Sequence, residues 1–333
     1  MNKFPLNYFL ISLITLMFGA CSGSKEVTEY HEGKRDKVID GPSLMVSIDD
    51  NLPPIHSFSI PVIAGDTLII EDLESTDLVY TAYDVYKDHT IGRFGKFGNG
   101  PGEIKPILVF YNKYDKTLYA GNSSNSKIVG FYLPKAISDS IYNAVDKIAV
   151  NIYEGILYPQ VINDSTVLCT VYGNLSSRAT MLSKFNLNTG KFTAIDSVAP
   201  YEKAKFGIAV SEKDDLIFTA DRLRDMIRIL NLDGEVQSII YGPEYDETPT
   251  EYNSYFSRSE ICGNKIASTY SGFEPEGDRD KLIITDLNGR YIKTLKFDAI
   301  IHGMAYHDKT GRLYLTTAGE PQIGYIELDK ITD

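Results

Sequence analysis

An all-β fold is what the sequence predicts, on three observations. Strand-favouring residues are abundant, with 23 tyrosines and no tryptophan among 333 residues, while helical periodicity is scarce. Asp233-Gly234 and Asn288-Gly289 stand between apolar runs, the strongest short-range signature of a hairpin. A short turn followed by one kind of apolar strand recurs six times, about every 45 to 50 residues. Four strands at that period make a propeller blade, so the predicted fold is a six-bladed β-propeller.

In chain order, Lys3 gives a positive start, and Leu6 to Phe18 is an apolar run too short for a membrane span. The run closes on Phe18-Gly19-Ala20-Cys21-Ser22, which resembles a bacterial lipobox, with Phe18 where that pattern usually has Leu, Val or Ile. The resemblance implies that Cys21 carries lipid and becomes the mature N-terminus, with enough acyl chains to anchor stably. Residues 1–20 are then a signal peptide, 21–42 the lipidated cysteine with a polar, flexible tether, and 43–333 the propeller domain. Leu44-Met45-Val46-Ser47-Ile48 is a spare strand, expected to complete the last blade and hide its edge.

The six turn-strand units begin at Gly65, Asp115, Asn163, Lys213, Gly263 and Thr310. Each reads as an apolar strand, the turn, a second strand, a third strand and a closing fourth. Phe206-Gly207-Ile208-Ala209-Val210 is a first strand, Met226-Ile227-Arg228-Ile229-Leu230 a third, and Tyr291 to Phe297 a fourth. The sixth unit lacks its fourth strand, which is why the spare N-terminal strand belongs there. Pro134 to Val145 is the one stretch expected to hold a helical insertion.

Ile91-Gly92-Arg93-Phe94-Gly95-Lys96-Phe97-Gly98-Asn99-Gly100-Pro101-Gly102-Glu103 looks like the glycine-rich inter-blade link of NHL-type propellers. Leu118 to Asn122 and Asn125 to Ile128 are similar to the same repeat's next two strands, so Ile91 to Leu133 resembles one NHL-type or TolB-like repeat. Leu216 to Leu230 is a looser second match. The resemblance implies the fold, and propellers of one fold serve binding, scaffolding and catalysis alike.

A net charge of −12 repels phosphate backbones, and no basic stripe appears, which argues against a nucleic-acid partner. Pro101 and a following strand leave the Gly92–Gly102 run without the helix N-terminus that a phosphate loop needs. No Gly-x-Ser-x-Gly elbow is present, and no cofactor is implied. Cys169 and Cys262 fall two blades apart and read as free, buried thiols. Asp49-Asp50, Asp214-Asp215 and Glu274 with Glu276 read as solvated turns, and Asp278-Arg279-Asp280 lacks the alternating oxygen ligands of a calcium loop.

Ligand-binding candidates sit where each innermost strand begins: His56, Lys105, Gln160, Lys205, Arg258 and His302. As a basic ring at the channel mouth they are expected to draw an anionic ligand. His56 and His302 fall in blades that meet when the ring closes, and Glu260 is the nearest third donor for a metal. Two function classes follow. The first is a monomeric outer-membrane lipoprotein that binds a protein, peptide or glycan partner. The alternative is a metal-assisted lyase or hydrolase at the channel mouth.

Overall fold

The computed structural model describes residues 27–48, 52, 59–72, 75–123, 127–149, 156–172, 180–195, 206–248, 254–272 and 280–331. Three strands precede the first blade: β1 (Thr28–His31), β2 (Val38–Asp40) and β3 (Val46–Ser47). Blade 1 is β4 (Ile60–Ala64), β5 (Thr67–Glu71), β6 (Leu78–Asp84) and β7 (His89–Lys96). Blade 2 is β8 (Pro106–Asn112), β9 (Thr117–Asn122), β10 (Lys127–Tyr132) and β11 (Val145–Ala149). Blade 3 is β12 (Leu157–Val161), β13 (Thr166–Tyr172), β14 (Thr180–Asn186) and β15 (Phe192–Ala194). Blade 4 is β16 (Phe206–Ser211), β17 (Leu216–Asp221), β18 (Met226–Leu230) and β19 (Val236–Tyr241). Blade 5 is β20 (Phe256–Cys262), β21 (Lys265–Tyr270), β22 (Lys281–Asp286) and β23 (Tyr291–Lys296). Blade 6 is β24 (Ile301–His307), β25 (Arg312–Thr317) and β26 (Ile323–Glu327), with β3 as its fourth strand.

Five of the six turns between first and second strands reverse the chain through a left-handed residue, and two loop lengths do so differently; the blade 3 turn, residues 162–165, has none. The two-residue loops open on Gly65 (φ 66°) and Gly263 (φ 63°), where a side chain would be strained. Three of the four four-residue loops end on Lys116 (φ 56°), Asp215 (φ 49°) and Gly311 (φ 66°).

Strand alternation explains why blades stack as they do. In β5, Leu68 and Ile70 pack with Tyr314 and Ile323 of blade 6, while Ile69 between them packs with Val109 and Leu118 of blade 2. In β21, Ile266 joins the seam with blade 4 and Ala267 the seam with blade 6. Six apolar clusters result among the described residues, one at each seam. Both faces of every blade are buried, so the strands read as nearly continuous apolar runs. Cys169 lies at the seam of blades 2 and 3 and Cys262 at that of blades 5 and 6; both are buried and free.

The sixth blade takes its outer strand from the N-terminal side. Val46 pairs with Tyr325 and Ser47 with Gly324, antiparallel. A Cβ at Gly324 would stand 2.7 Å from the Val46 carbonyl oxygen, so glycine is what lets the two backbones meet.

Two expectations need correction. The stretch expected as flexible tether carries two docked strands: β1 adds in parallel to β19 of blade 4, and β2 in parallel to β23 of blade 5. Its polar side chains conceal this, because parallel addition to an outer edge uses the backbone. The helical insertion shrinks to one turn, α1 (Leu133–Ala136), and Val145 begins the fourth strand of blade 2. Among the described residues no helix is long and apolar enough to cross a membrane.

Arg35, between β1 and β2, fixes this arm. Its guanidinium bonds Asp225 Oδ1 and Glu32 Oε2, each at 2.8 Å, and lies over the rings of Tyr270 (5.2 Å) and Phe256 (5.6 Å). Burial works against its charge, but Asp225 and Glu32 more than offset that and raise its pKa.

Candidate functional site

The first strands of the six blades surround an axial cavity of about 340 Å³, lined by residues of β4, β8, β12, β16, β20 and β24. Four of these strands are bulged where they begin: β8 between Pro106 and Leu108, β12 between Leu157 and Gln160, β20 between Phe256 and Ser259, and β24 between Ile301 and Gly303. A bulge re-aims one side chain and bends its strand, and here it does so around the cavity mouth. Gly207 lets blades 4 and 5 close up, since a Cβ there would stand 3.0 Å from Ser259 Oγ and 3.2 Å from the Ser257 backbone.

The bulges deliver Tyr158 and Arg258. Tyr158 holds φ 51°, an unusual angle for an aromatic residue, and the Arg258 guanidinium lies 5.2 Å from its ring centroid. This pair joins blades 3 and 5 across the position of blade 4. The Arg258 N–H is fixed by Thr269 Oγ1 at 2.9 Å. Behind it, Glu71 is fully buried and accepts a hydrogen bond from Tyr80 at 3.3 Å. Burial pushes its carboxyl up to about 7, while the Tyr80 bond and the charge of Arg258 pull it back.

One level deeper, the ladders align Val62, Phe110, Gln160, Ala209, Glu260 and Ala305, each paired with the third residue of its second strand. Gln160 and Glu260 therefore share a level, two blades apart, and both border the cavity. The Tyr306 N–H donates to Glu260 Oε1 at 3.3 Å. Burial pushes the Glu260 carboxyl up to about 7, and the Tyr306 bond only partly opposes this.

Of the six sequence candidates, Gln160 and Arg258 reach the cavity wall. Gln160 lies deeper than its expected place at the mouth, because the β12 bulge consumes the residues before it. Lys105 and His302 are not part of the wall. Lys105 sits in the link, its ammonium 5.8 Å from the Phe97 ring, and His302 occupies the bulge that opens β24. His56 and Lys205 lie outside the described residues, as does Cys21. The described positions thus do not form a basic ring: of their cations, Arg258 alone lines the cavity. Among the described residues no three His, Cys, Asp or Glu side chains gather as a metal site. Tyr158 and Glu71 escaped sequence reasoning, since neither a strained φ nor a carboxyl behind the wall leaves a composition signal.

No protein-family model matches the sequence, and no curated protein matches it. Solved structures do. The chain is similar to a gluconolactonase from Xanthomonas campestris, with TM-score 0.56 and 10% identity, over 92% of this chain and 98% of that one. It is similar to the β-propeller domain of Cps50 (Swd1) from Myceliophteria thermophila, with TM-score 0.48 and 10% identity, over 86% of this chain and 100% of that one. BamB from Moraxella catarrhalis follows, with TM-score 0.36 and 14% identity, over 80% of this chain and 68% of that one. At these identities the likeness is one of fold, and the class is plain: a six-bladed β-propeller with a ligand-sized axial cavity.

Proposed function

We propose that this propeller is a binding module of the bacterial cell envelope, anchored by lipid on Cys21 and engaging a protein, peptide or glycan partner at its channel mouth. The observation that carries the reading is the axial cavity: about 340 Å³, with apolar side chains interleaved with polar groups from Tyr158, Gln160, Arg258 and Glu260. Cavities of about 300–1,000 Å³ with a few convergent polar groups are typical of recognition sites. The lipobox-like Gly19-Ala20-Cys21 supports the anchor and an outer-membrane address. The NHL-type and TolB-like resemblance of residues 91–133 supports an envelope propeller.

Site-specific photocrosslinking in intact envelopes tests this. Ile107 borders the cavity and is 45% exposed, whereas Tyr132, 39% exposed, ends β10 on the opposite face. A crosslinker at Ile107 is expected to trap one discrete partner that the same group at Tyr132 does not. Equal trapping at both sites, or none at Ile107, overturns the reading.

A further inference from the structure

The charges of the axial cavity are unevenly answered. Arg258 stacks on Tyr158 and feels the carboxyl of Glu71 behind it. Glu260 borders the same cavity, and its carboxyl is held by one backbone N–H. Among the described residues no cationic group stands within ion-pair distance of it. A carboxylate drawn out of water without a counter-charge is costly, and a cation brought to it recovers much of that cost.

Aliphatic side chains share the walls around Glu260 with polar ones. Ile60, Val109, Ile208 and Met304 line the cavity, with Gln160 at the level of Glu260. Aliphatic groups beside acceptors suit an aliphatic stem with a polar head. Its head would meet the Glu260 carboxylate and the Gln160 amide oxygen, both acceptors. The net charge of −12 draws cations toward the surface from a distance.

We infer that the cavity receives an aliphatic ammonium group, that of a lysine side chain on a peptide partner, with Glu260 as its counter-charge. The inference rests on the binding-module reading and replaces the anionic ligand that a basic ring would take.

Calorimetric titration of the full chain tests it, using N-acetyl-lysine methylamide and its uncharged counterpart N-acetyl-norleucine methylamide. At about pH 8.5 the Glu260 carboxyl in the cavity and the Glu71 carboxyl behind its wall, each pushed up to about 7, are ionised. Saturable binding of the lysine probe is expected, at least about tenfold tighter than the norleucine probe and weakened by a similar factor in Glu260→Gln. Equal binding of the two probes, no saturable binding, or an unchanged affinity in a folded Glu260→Gln overturns the assignment. The two-probe comparison needs only the wild type, so a poorly folding variant does not blunt it. If lysine fails while Ile107 still traps its partner, the ammonium assignment falls and the binding module stands.

Discussion

Arg35 and Asp225 show what a single buried ion pair does here. The side chain of Arg35 is 7% exposed and that of Asp225 is fully buried, so removing the arginine strands a carboxylate in the seam of blades 4 and 5. Breaking such a pair typically costs about 3–5 kcal/mol. Arg35→Ala is therefore expected to lower the urea-unfolding free energy by about 3 kcal/mol or more, and adding Asp225→Asn should restore part of it. Glu71 makes a prediction of opposite kind. Its folded pKa of about 7 lies above its ordinary 4.5, so the folded state holds the proton more tightly. Its contribution is fully present below about pH 4.5 and is lost as pH rises through about 7. Wild-type stability relative to Glu71→Gln should fall by at most about 3 kcal/mol across that window, read by denaturant titration at each pH. A difference that does not change with pH would mean that the carboxyl is solvated.

Among the elements, the N-terminal arm and the closing strand have separable tasks. β1 and β2 lengthen two sheets that already have four strands, whereas β3 completes a sheet that has three. Deleting residues 27–42 is expected to lower the thermal midpoint and leave a cooperative transition. Deleting 27–48 should also remove the cooperativity, because blade 6 then exposes β26 and the Tyr314–Ile323 seam with blade 1 loses its cover. Circular dichroism melts of the two deletions distinguish these outcomes. The closing strand was legible because the sixth unit is one strand short and Leu44 to Ile48 is strand-like. The arm was not: Thr28-Glu29-Tyr30-His31 is exposed along its length, and nothing in its polarity announces a ladder.

At the scale of the molecule, docking of β1 shortens the link to the proposed anchor. Residues 22–27 separate Cys21 from Thr28, a reach of about 25 Å at full extension. A lipid on Cys21 would hold the outer edge of blade 4 within that distance of the bilayer. Cys21→Ser is expected to abolish metabolic labelling with a radioactive fatty acid and to release the protein from the membrane fraction. Retained label would place the lipid elsewhere.

The sequence by itself determined the ring. Six turn-strand units, none able to cover both of its apolar faces, must stack on one another, and period-two alternation sends successive side chains to opposite seams. It also supplied Gln160, Arg258 and Glu260 as residues to watch. Only the tertiary structure decided their arrangement. The bulges in β12 and β20 shift side chains by a residue or two, which is enough to sink Gln160 to the level of Glu260 and swing Arg258 onto Tyr158. Backbone pairing decided the arm in the same way. Hydrophobic pattern records which face of a strand is buried, but a bulge or a strand added at an edge is written in backbone hydrogen bonds, which every residue can accept and every residue but proline can donate.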